Sequence, residues 1–357
     1  MTEKSKAELR EEIRKRKQDE RDRVRRIKKA NKMLIVMPKK TQRSLGLIQY
    51  DPSGVFHFLD GRWMKVFQIS GGISHLPDAL LLIGARATFT HRMIRDADSD
   101  VDSDIDSDMD ADMDADANTY YLSLFREGET YEPVRKAFSE DEETLKKSLQ
   151  IRSLTAEETI EEIRKLTTLL EKPFDFPEFM KKRRDLLSET VPKITADYSD
   201  FSIKGACGSS YFIMQYPGVG SEIQRTNDFL RDISDVVFIT TELCAVSQEQ
   251  REEQIRYLKT RYLGHADERS IQPYVNTRIR IMMLCHDTES LGYAKANLEE
   301  AFYGAGYVIS PLFGQQKESA ESVLTLGMAQ QGSLQNVPIE TIREIFAKEH
   351  EHDPDKI

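Results

Sequence analysis

A chain of 357 residues with 39% hydrophobic and 31% charged side chains is long enough for a large core, and it predicts a globular protein of about two domains. We expect no membrane-spanning helix and no secretory leader, because no run of about 18 apolar residues occurs and the N-terminus is charged. The cysteines Cys207, Cys244 and Cys285 lie in predicted strands at spacings unlike those of zinc sites, which predicts buried thiols in a cytoplasmic protein.

The net charge of −10 conceals two local segments of opposite sign. Residues 1–33 hold 14 Lys and Arg against 7 Asp and Glu, whereas residues 96–116 hold 11 Asp and no basic residue. The rest of the chain is therefore only mildly acidic. A charged partner would be drawn to one of these segments rather than to the whole fold.

The charged basic arm at 1–37 predicts an exposed helix over residues 4–32. Four pairs of opposite charge lie four residues apart in the order that stabilises helices: Glu11–Lys15, Glu12–Arg16, Asp19–Arg23 and Asp22–Arg26. The arm is either a solvated helix or a contact for anionic lipid or a nucleic-acid backbone, and it offers no aromatic residue for base stacking. The candidate contact residues are Arg14, Lys15, Arg16, Lys17, Arg25, Arg26, Lys28 and Lys29.

Residues 38–150 predict a β-rich N-terminal domain that begins with a β-meander over 45–69. Turn residues at 51–54 and the pair Asp60-Gly61 separate its strands. This part of the chain therefore predicts antiparallel pairing between strands that are neighbours in sequence.

Two segments further along this domain are less regular. The apolar run at 80–83 fits a buried helix or a strand equally well. The Asp-rich segment at 96–117 predicts a disordered acidic loop, because its like charges repel one another in a strand and in a helix alike. Weak association of Ca²⁺ or Mg²⁺ with this loop stays open, although the segment does not fit a calcium-binding EF-hand.

Residues 151–195 predict a helical connector, in which Thr155 and Glu158 have the spacing of a capping box. Residues 196–348 predict a two-layer α/β domain of βαβαβαβ order, because extended apolar runs alternate with amphipathic helix patterns. Residues 349–357 form a polar tail. The predicted fold is thus α+β or α/β, with an N-terminal β-meander domain, a helical connector and a two-layer domain.

Within the α/β domain, strands are predicted at 203–216, 236–246, 278–285 and 307–309. Predicted helices begin at Ser221 and Ser247, and a third ends at Gly304.

The sequence carries none of the motifs expected of an autonomous enzyme. No glycine is followed by lysine, so the P-loop that binds nucleotide phosphates is missing. The run Gly218-Val219-Gly220 lacks the third glycine of a dinucleotide fingerprint, and neither H-E-x-x-H nor G-x-S-x-G occurs. We therefore predict no catalytic, cofactor-binding or metal-binding residues.

Short stretches spread over residues 38–348 occur in a characteristic order: 40–44 (KTQRS), the Asp60-Gly61 hairpin, 67–69 (FQI), 88–95 (TFTHRMIR), 211–217 (YFIMQYP), 311–316 (PLFGQQ) and 322–327 (SVLTLG). This order resembles the N-terminal domain of the conjugative type IV secretion ATPases of the VirB/TraC type. The resemblance implies contacts with membrane-embedded channel subunits and with a motor. Family members continue into a P-loop motor domain that this sequence lacks, so the resemblance implies no catalytic residue here.

We therefore predict a non-enzymatic component of a conjugative DNA-transfer machine, a scaffold or docking subunit beside a membrane channel and a separate motor. We expect it in the cytoplasm, peripheral at the inner face of the cell membrane. Two alternatives stay open. The chain is then either the regulatory half of a split conjugation ATPase whose P-loop motor is encoded separately, or an electrostatic nucleic-acid- or membrane-binding module.

Overall fold

The computed structural model describes residues 6–95, 118–166, 175–216, 233–246, 274–329 and 334–348, with the separate residues 230, 252, 253 and 256. The predicted acidic loop at 96–117 and the polar tail at 349–357 lie outside these residues. So do most residues of the helices predicted to begin at Ser221 and Ser247.

Within the described ranges, fourteen strands form a single antiparallel sheet. The strands are β1 Ile35–Val36, β2 Leu47–Asp51, β3 Val55–Phe58, β4 Arg62–Gly71, β5 Arg86–Ile94, β6 Asn118–Glu127, β7 Gln150–Ser153, β8 Thr195–Ala196, β9 Phe201–Ile203, β10 Ala206–Gln215, β11 Val236–Ala245, β12 Tyr274–Cys285, β13 Val308–Pro311 and β14 Gln335–Pro338. The helices are α1 Lys6–Ala30, α2 Lys39–Ser44, α3 Leu76–Ile83, α4 Tyr131–Leu145, α5 Ala156–Leu166, α6 Phe176–Lys182, α7 Leu186–Thr190, α8 Thr288–Gly304, α9 Gln316–Leu324 and α10 Ile339–Lys348.

Two four-stranded units with the same strand order make up the centre of the sheet. The first has the β-α-β-β-α-β order of a split βαβ unit, since β4, α3, β5, β6, α4 and β7 follow one another and the strands lie in the order β7-β4-β6-β5. In the second, the strands lie in the order β13-β10-β12-β11, and α8 connects β12 to β13. The chain thus repeats one arrangement on either side of the sheet's centre.

The two units join edge to edge through β5 and β11. Their register runs from Ile94 opposite Val236 to Ala87 opposite Leu243. Both strands are almost entirely buried, which makes this joint part of the protein interior.

Helices cover both faces of the sheet. On one face, Leu80 of α3, Phe138 of α4 and Leu298 of α8 belong to a single buried apolar cluster. On the other face, Ile160 of α5 and Val323 of α9 belong to a second cluster. Strands β4, β6, β11 and β12 supply both clusters, as expected from the period of two in a strand.

Local signals in the sequence position several of these elements. Glu158 N donates to Thr155 Oγ1 at 3.2 Å, and Thr155 N donates to Glu158 Oε2 at 2.8 Å, so the capping box at the start of α5 is present. At the β2–β3 turn, Gly54 N donates to Asp51 O at 3.0 Å, and Gly54 takes a φ of +95°. The left-handed backbone at this position favours glycine.

The mixed α+β class and the N-terminal β-meander are confirmed. Strands β5 and β11 pair and place both halves of the chain in one sheet. The apolar run at 80–83 belongs to helix α3, which has Pro77 in its first turn and ends at the left-handed Gly84. No helix among the residues described has both the length and the apolar character needed to cross a bilayer.

Candidate anion-binding groove

The end of the basic helix α1 is packed against the sheet domain, because hydrogen bonds of the next residue, Asn31, hold it there. Asn31 is 2% exposed, and its Oδ1 accepts a hydrogen bond from Tyr131 N at 2.9 Å. Its backbone oxygen accepts from Gln49 Nε2 at 3.1 Å, and its Nδ2 donates to Glu129 O at 3.4 Å. The end of α1 is therefore fixed to the start of α4 and to strand β2.

Helices α1 and α2 form the walls of a groove of about 700 Å³, which we call the cationic groove. Its lining residues are Lys17, Arg21, Val24, Arg25, Lys28, Lys39, Gln42, Arg43, Ile48 and Leu59. Six of these are basic and none is acidic. On α1 the basic residues lie three or four positions apart, so they share one face of the helix.

The electrostatics of the groove favour a bound anion. Lys28 Nζ donates to Gln42 Oε1 at 3.2 Å, which links the two walls. Burial lowers the pKa of the Lys28 ammonium below its usual value, and repulsion from Lys39 lowers it further. Arg25 is held only loosely by Asp22, with 3.7 Å between nitrogen and oxygen. An anion between the walls would relieve this repulsion.

The structure separates the eight candidate contact residues into groups. Lys17, Arg25 and Lys28 line the cationic groove, and Arg26 lines a smaller pocket of about 340 Å³. Arg16 is engaged by Glu12 at 3.0 Å. The remaining three, which line neither pocket, are Arg14, Lys15 and Lys29.

Three basic residues of the groove were not among the candidates. Arg21 lies four residues from both Lys17 and Arg25, so helical spacing alone predicts that it shares their face. Lys39 and Arg43 belong to α2, and only the packing of α2 beside α1 brings them to the groove. The part of the site that the sequence does not predict is thus its second wall.

The segment between the two groove helices carries exposed apolar side chains. Met33, Ile35 and Val36 are 65%, 40% and 42% exposed. Apolar side chains beside basic ones are typical of surfaces that bind at a membrane interface. We call this segment, residues 31–38, the apolar linker.

A second pocket, of about 420 Å³, has a different character. Its lining combines Lys295 with Asp197 and Asp200, and Lys295 Nζ lies 2.7 Å from Asp200 Oδ1. The one ammonium group of this pocket is thus already paired with a carboxylate inside it. In the described part of the chain, no three His, Cys, Asp or Glu side chains are grouped so as to hold a metal ion.

Neither the models of known protein families nor the curated proteins give a match to this chain.

Proposed function

We propose that this chain is a non-enzymatic docking component, bound at the inner face of a membrane through anionic lipid headgroups that enter the cationic groove. The observation that carries the proposal is the lining of that groove, which has six basic residues and no acidic one. The exposed apolar linker between the groove helices favours a lipid surface over a soluble anion.

Simple electrostatics give the scale of such binding. A basic residue near an anionic leaflet contributes about 1 kcal/mol, so six contribute at most about 6 kcal/mol. Ions in solution screen this attraction, with a Debye length of about 8 Å at physiological salt. We therefore expect reversible binding that weakens as salt rises and that needs a second contact for stable attachment.

We further propose that the second contact is with the channel and motor of a conjugative type IV secretion machine. The support for this step is the resemblance of residues 38–348 to the N-terminal domain of the VirB/TraC-type ATPases. Residues 40–44, with which that resemblance begins, belong to α2 and include Arg43 of the groove. Helix α2 therefore contains both the first stretch of the resemblance and a basic residue of the groove.

A nucleic-acid backbone offers the same phosphate chemistry as a lipid headgroup. The lining of the groove includes no aromatic side chain, so stacking on unpaired bases would have to come from elsewhere. The exposed apolar linker would contribute no binding energy to a purely electrostatic contact with duplex DNA. These two features make lipid the better-supported partner.

The test compares two triple variants with equal changes in net charge. The groove variant carries Lys28→Gln, Lys39→Gln and Arg43→Gln, and the control carries Arg14→Gln, Lys15→Gln and Lys29→Gln. Co-sedimentation with phosphatidylcholine vesicles containing about one third phosphatidylserine should fall at least about tenfold for the groove variant and less than about threefold for the control. Equal losses in both would show binding by net charge alone and overturn the groove.

The same variants separate lipid from nucleic acid. Retention of duplex and single-stranded oligonucleotides is measured beside vesicle binding. Replacing Met33 and Ile35 by Ser should weaken vesicle binding and leave oligonucleotide retention unchanged. If the groove variant loses only oligonucleotide retention, the partner is nucleic acid and the lipid proposal is wrong.

A further inference from the structure

A second group of positive charges lies inside the protein, on the sheet face that α9 covers. Arg278 and Arg280 lie two residues apart on β12, so they share a face of the sheet. On the neighbouring strand β11, Glu242 lies directly opposite Arg278. Arg86 at the start of β5 approaches the same carboxylate. We call Arg86, Glu242, Arg278 and Arg280 the arginine cluster.

The single carboxylate of the cluster is fully engaged by two of the three arginines. Arg86 Nη2 donates to Glu242 Oε2 at 2.8 Å, and Arg280 Nη2 donates to Glu242 Oε1 at 2.8 Å. Arg280 Nη2 also lies 3.4 Å from Ser322 Oγ on α9. Both oxygens of Glu242 are thereby occupied.

Arg278 forms no direct ion pair with a carboxylate in the described part of the chain, although Glu242 lies opposite it. It is 8% exposed, and its Nη1 is buried with no hydrogen-bond partner there. Its guanidinium carbon lies 5.7 Å from the centre of the Phe212 ring, which covers one side of the group. A buried guanidinium with an unmatched donor is costly, because solvation is lost and no hydrogen bond replaces it.

The arginines do not relieve the repulsion among their positive charges by losing a proton. Burial lowers the pKa of Arg280 to about 10 and also lowers the pKa of Arg278, and for both groups it outweighs the opposing effect of the Glu242 carboxylate. Arg278 and Arg280 therefore both remain charged at pH 7. Within the cluster, three guanidinium groups share the one carboxylate of Glu242, so a further anion would reduce the repulsion among them.

A neighbouring hydroxyl adds a second donor. Thr240 lies opposite Arg280 on β11, two residues from Glu242 and hence on the same face of the sheet. It is 1% exposed, and its Oγ1 has no hydrogen-bond partner among the described residues. Arg86, whose side chain is 27% exposed, connects the cluster to the surface.

We propose that the arginine cluster binds a small oxyanion of the phosphate class, held by Arg278 and Thr240 and approached from solvent past Arg86. A planar guanidinium matches the oxygens of such an anion, and a hydroxyl donates one more hydrogen bond. The site lies on strands β11 and β12, away from the cationic groove, and it does not depend on the proposed function.

The test uses the groove variant as the parent protein, so that phosphate bound in the cationic groove does not contribute. Inorganic phosphate is titrated at pH 7 against chloride of equal ionic strength, by calorimetry and by thermal unfolding. Phosphate should bind with a stoichiometry of one, and saturating phosphate should raise the Tm by about 2–4 °C. A parent without saturable binding overturns the proposal.

Arg278→Gln should abolish this phosphate-dependent shift. In chloride its Tm should equal or exceed that of the parent, because an unmatched buried charge has been removed. Arg152→Gln, which removes an exposed arginine, should keep the full shift.

If Arg278→Gln does not fold, Thr240→Val provides the measurement, with an expected loss of phosphate affinity of about fivefold or more. A phosphate shift that survives in Arg278→Gln, or an unchanged affinity in Thr240→Val, assigns the cluster a structural role only.

Discussion

At the scale of single residues, His57 shows how burial controls charge. Its ring lies flat on that of Trp63, with 3.7 Å between the ring centres, and the residue is 1% exposed. His57 lies in strand β3. Burial lowers the pKa of its imidazole from 6.5 to about 4, more than the nearby Asp60 carboxylate raises it. The ring is therefore neutral at pH 7 in the folded chain.

This shift predicts a loss of stability in mild acid. Between pH 6.5 and about 4 the unfolded chain binds a proton at His57 that the folded chain does not bind, so the free energy of unfolding falls as the pH is lowered. From pH 7 to pH 5 the wild type should lose about 2 kcal/mol more than His57→Phe, measured by urea unfolding. The exposed His75→Gln variant should keep the wild-type dependence. Equal losses in wild type and His57→Phe would contradict the prediction.

At the scale of elements, the β2–β3 turn depends on one glycine. Gly54 has a φ of +95°, and a Cβ at this position would overlap the carbonyl oxygen of Leu154. Gly84 after α3 also has a positive φ, of +59°, but a Cβ there would meet no atom within 4 Å. The two positions share a backbone preference and differ in the space beside them.

We therefore expect different costs for the same substitution at these positions. Gly84→Ala should lower the free energy of unfolding by about 1–2 kcal/mol, the usual cost of a left-handed conformation for a residue with a Cβ. Gly54→Ala should cost more than about 3 kcal/mol, because the turn and the backbone at Leu154 must move apart. Urea unfolding of both variants measures the difference. Similar costs would show that the overlap is relieved by small local shifts.

The elements that the sequence predicts best are those fixed by neighbouring residues. The strand expected at 236–246 is observed as Val236–Ala245, and the helix expected to end at Gly304 ends there. The capping box of Thr155 and Glu158 is present with both hydrogen bonds. Each of these features depends on side chains within a few positions of one another, which is the range over which sequence patterns carry information.

The second wall of the cationic groove is the opposite case. Lys39 and Arg43 form no unusual pattern in the sequence, and their role arises because α2 packs beside α1, where Lys28 Nζ donates to Gln42 Oε1. The pairing of β5 with β11 likewise joins residues about 150 positions apart. Buried strands have apolar residues on both faces, so hydrophobic pattern alone does not determine which edges meet.

At the scale of the whole molecule, the two halves share one interior. Phe89 of β5 and Ile239 of β11 belong to one apolar cluster, and Phe125 and Phe238 belong to the other. Both clusters therefore cross the joint between the units. Loss of either half would expose the apolar residues of its neighbour.

This continuity predicts one cooperative unfolding transition. In scanning calorimetry the calorimetric and van't Hoff enthalpies should agree within about 20%, and far- and near-ultraviolet circular dichroism should change together. Independent domains would instead give two transitions, with a calorimetric enthalpy well above the van't Hoff value. That result would contradict the shared interior.

The joint between β5 and β11 also has a consequence for the growing chain. Ala87 is synthesised about 150 residues before its partner Leu243, which corresponds to roughly 8–30 s at ~5–20 residues per second. For that time the outer edge of β5 has no partner strand, and such edges pair readily with other chains. Arg86, Arg92 and Arg95 lie along or beside this strand, and their repulsion opposes pairing between neighbouring nascent chains on a polysome.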